Sequence, residues 1–472
     1  MKSMRNMIIR IFVFFKNTFK EILILSNTYE IFNWLFLGRK KISKKDFLIR
    51  QNKYKSTIEK LRVKFNNNKK IKIYFVIYDY SIWQVDSLFF DLLKLKHFSI
   101  GIVHIPLLIK NTSDFRKRYI KTDKFCKSKS DNIFEAFDVK NYRWKSIEEL
   151  KILNIDLLIY THTSNSPFEA SSTGEFLLPL YVPYGIMAAS NKGFLKKLKF
   201  ENFQFNKSEH NFMFCNILET KLHLYLKNKY STINSINSVV CGYPKLDNYF
   251  KLDILYNPWK NCSQKYIKRV IWAPHFTISH LLKKNKRETL RTSAIFSTFE
   301  VNMNFFLNYF KENEEILFCY KPHPLLHKTI LESGYMSKSD FNLFHKQLLE
   351  LKNVFEYDSS DYIGLFANSD ALITDCVSFL SEYLPSKKPI LFLENQFYSL
   401  NYYGKILIEN FYKLKGDDFT KIRSFIKNVV ILGNDYLYEK RISTLNKLGL
   451  ITDKTSSTRI INFLNGIINV HQ

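Results

Sequence analysis

The residues best suited to chemistry fall in two stretches. The first, Ala371 to Glu394, carries Thr374, Asp375, Ser378 and Ser381 in a polar break between apolar runs. The second, upstream of it, is Lys321-Pro322-His323-Pro324, directly after the apolar run Ile316 to Tyr320. Hydroxyls and the free N–H groups of a helix start form a ready site for phosphate. Two prolines hold Lys321 and His323 extended at a strand's carboxyl end. That end is where open α/β sheets bind ligands.

The elements that must position these residues read as strands and helices in alternation. Ala371–Ile373, Val377–Leu384 and Pro389–Leu393 spell strand, turn, helix and strand, the βαβ unit of a parallel sheet. One alternating set comprises strands over Ile71–Tyr78, Phe98–Leu108, Ile155–Tyr160 and Leu177–Val182, with helices over Ser87–Leu95 and Ser146–Leu153. A second begins near Asn237, with strands over Ser238–Cys241, Arg269–Trp272 and Ile316–Tyr320 and helices over Ser293–Asn313, Phe341–Leu351 and Asp361–Asn368. The last sixty or so residues read as helices. The fold class expected is α/β, two tandem Rossmann-like doubly wound domains. The expected division is 1–65, a basic amphipathic helical segment; 66–235 and 236–410, the two domains; and 411–472, C-terminal helices. Tyr184, Pro244, His275, His323 and Asp375 then follow strand ends, and a cleft between the domains is expected to receive them.

Composition narrows the class. At 472 residues the chain holds two ordinary domains with appendages, and 46% hydrophobic and 16% aromatic content supply their cores. Six cysteines without a CxxC pair argue against a disulfide framework or a zinc site. No HxxxH or HExxH pattern marks a metal site, and kinase and P-loop glycine motifs are absent. We expect no metal and no cofactor. The formal net charge of +28 favours anionic partners. Lys and Asn enrichment runs through the whole chain and no nucleic-acid module is present, so a nucleic-acid partner is not expected.

Residues 1 to about 40 interleave Lys2, Arg5, Arg10, Lys16 and Lys20 with bulky apolar clusters. No run reaches the roughly 18–20 apolar residues that span a bilayer, and a secretory signal pattern is missing. The pattern suits a helix lying in an anionic membrane surface. A peripheral location at the cytoplasmic face of the membrane is the expectation.

Four pieces together resemble one family. They are Gly242-Tyr243-Pro244-Lys245-Leu246-Asp247, Trp272-Ala273-Pro274-His275, the KPHP island, and Ile373-Thr374-Asp375-Cys376-Val377-Ser378 followed by Lys388-Pro389-Ile390. In order and approximate spacing they resemble the CDP-glycerol glycerophosphotransferases, which polymerise teichoic acids and capsule backbones. The resemblance spans roughly 70 to 400, and Trp83 to Asp86 looks like a signature of capsule-associated members. It implies a GT-B-like fold and transfer of a polyol phosphate from a CDP-activated donor to a hydroxyl of a lipid-linked or polymer acceptor, with release of CMP.

On that resemblance His323 donates to the donor's bridging phosphate or to leaving CMP. Lys321, Thr374, Ser378 and Ser381 bind donor phosphate, Asp375 caps or orients, and Glu382 reaches a donor hydroxyl. Many members carry Trp-His-Gly where this chain has Pro183-Tyr184-Gly185, and that histidine is a base candidate. With Tyr184 and Gly185 on the acceptor side, His275 and His162 become the candidates to accept the attacking hydroxyl's proton. Two other readings compete. One is a GT-B glycosyltransferase using a nucleotide sugar for lipopolysaccharide or capsule. The other is a basic, non-catalytic protein that binds membrane or nucleic acid.

Overall fold

Apolar runs buried on both faces make the strands of this chain. In the structure, a computed structural model, the residues described are 42, 44–106, 112–162, 166–189, 205–261, 266–280, 296–395 and 398–469. They form two compact units. The expected amphipathic segment over 1–40 lies outside the described residues.

The first unit comprises 42–186, 205–255 and 443–469 of the described chain. Helix α1 (Lys44–Asn66) leads into β1 (Ile71–Ile77), whose sequence IKIYFVI is buried at every position but one. Helix α2 (Asp86–Leu93), strand β2 (Phe98–His104), helix α3 (Thr112–Lys129) and strand β3 (Ile133–Glu135) follow. A short antiparallel pair, β4 (Phe137–Asp138) and β5 (Arg143–Trp144), precedes β6 (Leu157–Tyr160), β7 (Leu178–Tyr181), β8 (Cys215–Leu218) and β9 (Ser238–Val240). The seven-stranded sheet runs β3-β2-β1-β6-β7-β8-β9, parallel throughout. Near-continuous apolar strands are what a sheet covered on both faces requires.

The second unit comprises 187–189 and 256–442. Its strands are β10 (Lys268–Ala273), β11 (Ile316–Tyr320), β12 (Val354–Glu356), β13 (Ala371–Thr374), β14 (Ile390–Glu394) and β15 (Tyr412–Lys415). They make a second parallel sheet, ordered β12-β11-β10-β13-β14-β15. Helix α4 (Phe299–Glu312) packs on it. Phe299, Phe306 and Phe310 of α4 meet the Trp272 ring, with centroids 4.6–6.0 Å apart. The expected βαβ unit is β13, helix α5 (Val377–Tyr383) and β14, with Leu372 in register with Ile390.

The compact units divide the chain differently from the expected boundaries. Strand β9 pairs with β8, Asn216 opposite Ser238, so 236–255 stays with the first sheet rather than opening the second domain. The final helix, α6 (Ser456–Ile468), also returns to the first unit, where Ile460, Leu464 and Ile468 join its core. Asp247 of the Gly-Tyr-Pro motif secures that return. Its carboxylate accepts the N–H groups of Ser456 (2.6 Å) and Ser457 (2.9 Å) and the hydroxyls of Ser457 and Ser87. Gly242 adopts φ +93°, and a Cβ there would lie 2.5 Å from Ser456 Oγ. Six strands (β3, β4, β5, β8, β12 and β15) belong to no expected element, and neither do several helices, those at 112–129, 221–230, 326–333 and 402–408 among them; they are short, or strongly charged.

Candidate functional site

Each sheet changes direction once, and the change puts chemistry at a strand end. In the second unit the chain moves from β10 outward to β11 and β12. It then crosses to the other side of β10 for β13, β14 and β15. Ligands bind outside the carboxyl ends of the strands at such a switch. The three strands that meet there are β11, β10 and β13, and they end in Lys321–His323, His275 and Thr374–Asp375. The structure thus brings together the two islands that the sequence separates.

Backbone and side-chain bonds tie the three ends into one edge. His323 N–H donates to Pro274 O (3.0 Å). Thr374 Oγ1 donates to Ala273 O (2.6 Å) and accepts Cys376 N–H (2.9 Å), so this hydroxyl, fully buried, staples β13 to β10. Asp375 is 1% exposed. One oxygen accepts His275 N–H (2.5 Å), and the other accepts Thr298 N–H (2.5 Å) and Thr298 Oγ1 (2.9 Å). Burial pushes the Asp375 pKa up to about 6 despite these donors. Asp375 thus holds the backbone of 275 and the start of α4. The bond at Thr298 also explains why the helix expected over Ser293–Asn313 begins at Phe299.

The two imidazoles stand 5.1 Å apart, centroid to centroid, and Phe276 packs against both (4.4 and 4.6 Å). His323 Nδ1 accepts Leu325 N–H (3.1 Å). His275 Nδ1 accepts Thr277 N–H (3.3 Å) and lies 2.9 Å from Thr277 Oγ1. A neutral imidazole whose Nδ1 accepts must carry its proton on Nε2. Burial holds the His323 pKa near 4, helped by the Lys321 ammonium, and burial lowers that of His275 well below the ordinary range. Both rings are therefore neutral at pH 7, each with an Nε2–H donor. The tautomer suits binding an anionic oxygen. It leaves no lone pair on Nε2 of His275 to accept a proton.

The remaining donor-side residues separate by exposure. Ser378 is exposed on the first turn of α5, its Oγ 3.1 Å from Cys376 Sγ. Burial pushes that thiol up to about 12. Ser381 is fully buried, and its hydroxyl meets Tyr403 Oη (3.0 Å). Lys321 is 4% exposed; its ammonium donates to Ser359 O (3.0 Å) and lies 4.6 Å from the Tyr362 ring centroid. Tyr362 in turn donates to Glu382, which is also buried. Lys321 and Glu382 thus shape the loop 357–362. The edge owes much to residues absent from the sequence argument: Thr298, Thr277, Phe276 and Tyr362. Thr277, two residues after a strand-end histidine, carried the clearest signal. Among the described residues, no group of three or more His, Cys, Asp and Glu could hold a metal ion.

The first unit has its own switch, between β1 and β6. Asp79 follows β1, His162 follows β6, and Tyr184 and Gly185 follow β7. The His162 ring lies 5.7 Å from Tyr78 and 5.1 Å from Tyr184. Tyr184 O accepts the Tyr243 hydroxyl (2.8 Å), which ties the loop to the Gly-Tyr-Pro motif.

The family of CDP-glycerol:poly(glycerophosphate) glycerophosphotransferases matches residues 197–466, more than half of the chain. The chain belongs to that family. It is accordingly a transferase of the glycerophosphotransferase class, with the GT-B-like pair of Rossmann units that the resemblance implied. No curated protein matches it in sequence. Solved structures share the fold at low identity. A variant of the wall teichoic acid polymerase TagF is 12% identical with a TM-score of 0.52, covering 91% of this chain and 99% of that one. UDP-GlcNAc 2-epimerase from Neisseria meningitidis, bound to UDP-GlcNAc, is 13% identical with a TM-score of 0.52, covering 84% of this chain and 100% of that one. A UDP-N-acetylglucosamine 2-epimerase from Listeria monocytogenes gives 13% and 0.52 over 85% and 97%. Polymerase and epimerase share one architecture, so the reaction must be argued from the site.

Proposed function

We propose that this glycerophosphotransferase moves glycerol phosphate, or a similar polyol phosphate, from a CDP-linked donor to a hydroxyl of a membrane- or polymer-linked acceptor. The product would be capsule or another cell-surface polymer, made peripherally at the cytoplasmic face of the membrane. Family membership supports the transfer. The observation that carries the donor side is the His275–His323 pair, two neutral rings with Nε2–H donors at the switch of the second sheet. In the reaction, the acceptor oxygen attacks the phosphorus that bears the polyol. The P–O bond to CMP breaks, and the hydroxyl proton passes to a base. Fixed donors aimed at the phosphate oxygens and at leaving CMP stabilise the charge that develops there. Ser378 adds an exposed hydroxyl to the same edge.

In this reading the base is His162. Where many family members carry a histidine after β7, this chain has Tyr184, and the neighbouring strand end brings an imidazole beside that ring. The membrane assignment rests on the basic and apolar alternation of residues 1–40. Among the described residues no helix is long and apolar enough to cross a bilayer.

Nucleotide release tests the reading. Purified protein is incubated with CDP-glycerol, CDP-ribitol, UDP-sugars and CMP-sugars in turn, with a polyol-phosphate acceptor. Release of CMP from a CDP-polyol is the expected result. Release of UDP alone would show a sugar transferase and overturn the proposal.

A further inference from the structure

The acceptor-side loop is tied at its start, its centre and its end. It spans 182–186, between β7 and the point where the chain enters the second unit at Met187. At the start, Val182 N–H donates to Tyr160 O (2.8 Å). At the centre, Tyr184 O accepts the Tyr243 hydroxyl (2.8 Å). The Tyr184 ring lies beside His162, which the proposed reaction uses as base (5.1 Å between centroids).

The tie at the end belongs to Asn401. This residue is fully buried and caps the helix Tyr402–Ile408. Its Oδ1 accepts Gly404 N–H (2.8 Å), its N–H donates to Ala188 O (3.0 Å), and its Nδ2 donates to Met187 O (2.7 Å). Next to it, Leu400 makes an antiparallel bridge with Ala189. The two backbones run so close that a Cβ on Gly404 would stand 2.2 Å from Ala188 O, so only glycine fits there. A chain passing between compact units is ordinarily exposed and mobile. Here Ala188 is 2% exposed and both carbonyls flanking the crossing are bonded. Capping alone does not call for asparagine, because serine, threonine or aspartate would accept Gly404 N–H as well. What asparagine adds is an amide donor, and that donor goes to Met187 O.

We propose that Asn401 is a positioning residue for transfer. By holding Met187 and Ala188 it fixes where the acceptor loop ends, and with it the placement of Tyr184 beside His162. Misplacing reacting groups by an ångström costs roughly 10²-fold in rate, so a loop bearing on the base gains from a fixed end. The proposal deepens the transferase reading above and rests on it, and on His162 as the base.

The test uses Asn401→Ser in the full-length protein. Serine keeps an oxygen to cap Gly404 N–H, but its side chain is one bond shorter and carries no amide donor for Met187 O. Hydrogen exchange of the peptide 182–189 should speed up on the order of tenfold, and that of 371–394 should not change. The kcat for transfer to a polyol-phosphate acceptor should fall on the order of tenfold, while acceptor-independent CMP release and CMP affinity stay near their natural values. Gly404→Ala is the second variant. Alanine ordinarily favours a helix over glycine, so the same selective loss of transfer in the folded variant would trace to the displaced Ala188 carbonyl, and full transfer would count against the proposal. Unchanged exchange at 182–189 in folded Asn401→Ser, or faster exchange with full transfer, would overturn it. So would an equal loss of transfer and of acceptor-independent CMP release, which would put the effect on the donor edge. If the natural protein releases no CMP from any CDP-polyol, the transferase reading fails, while hydrogen exchange still decides whether Asn401 holds the loop.

Discussion

The switch edges of the two sheets are built from the same topology and solve opposite problems. In the second unit, polar groups satisfy one another. A buried carboxylate accepts three donors, a buried threonine staples two strand ends, and two imidazoles accept backbone N–H groups. What remains for a ligand is a pair of oriented N–H donors. In the first unit the edge is aromatic, with Tyr78, Phe115, Tyr119 and Tyr184 around it, and the His104 imidazole has no hydrogen-bond partner among the described residues. A preorganised set of donors suits an anion whose charge shifts during reaction. An aromatic edge around a buried imidazole offers no such set of donors.

The largest expected effects would break that division of labour outright. His323→Ala removes an Nε2–H donor and should lower kcat by roughly 10²–10³. It should slow CMP release from the donor to the same extent with and without acceptor. His162→Ala should lower transfer by a comparable factor, on the order of 10² or more, yet leave acceptor-independent CMP release near its natural rate. Both rates come from one assay of CMP and of polyol phosphate incorporated. Equal loss of both rates in His162→Ala would place that imidazole on the donor side and remove the contrast.

A smaller effect sharpens the account of the second edge. Asp375→Asn keeps the shape of the side chain and turns one acceptor into a donor. That new N–H must then face either His275 N–H or the buried Thr298 N–H, both of which need an acceptor. The expected cost is about 2 kcal/mol, read as a fall in thermal midpoint, with a lower kcat because the backbone of 275 loosens. An unchanged midpoint with full activity would show that the three donors find other partners and that Asp375 positions nothing.

How far each edge could be read from sequence follows from where its groups sit along the chain. His275, Lys321, His323, Thr374 and Asp375 each stand within three residues of a strand's last apolar position, next to proline or a hydroxyl. Apolar run and polar break together are enough to find them. Sequence does not give the tautomer, because Leu325 and Thr277 N–H groups decide it in three dimensions. Nor does it tell that Lys321 and Ser381 are buried against Tyr362 and Tyr403. The surroundings of His104 were illegible for a different reason. Asp79, His104 and Arg118 come from two strand ends and from α3, a helix that no expected element covers, and the 3.6-residue period of α3 sets Phe115, Tyr119 and Thr122 on one side. The unit boundary failed similarly. β9 looks like the first strand of a new set until its pairing with β8 is known, and α6 returns to the first unit through Asp247.

The smallest effect is a change of slope with pH. His104 has a folded pKa near 4, below the ordinary histidine value of about 6.5. Between those values the unfolded chain binds more protons than the folded one, so falling pH removes stability from the natural protein. His104→Phe has no such group. Comparing the two by thermal midpoint from pH 7 to pH 6, the natural protein should lose more, by a difference of order 1 kcal/mol. Parallel pH curves would mean that the imidazole already has a partner that holds its proton affinity near that of the unfolded chain. In that case the contrast between a satisfied edge and an unmet one disappears.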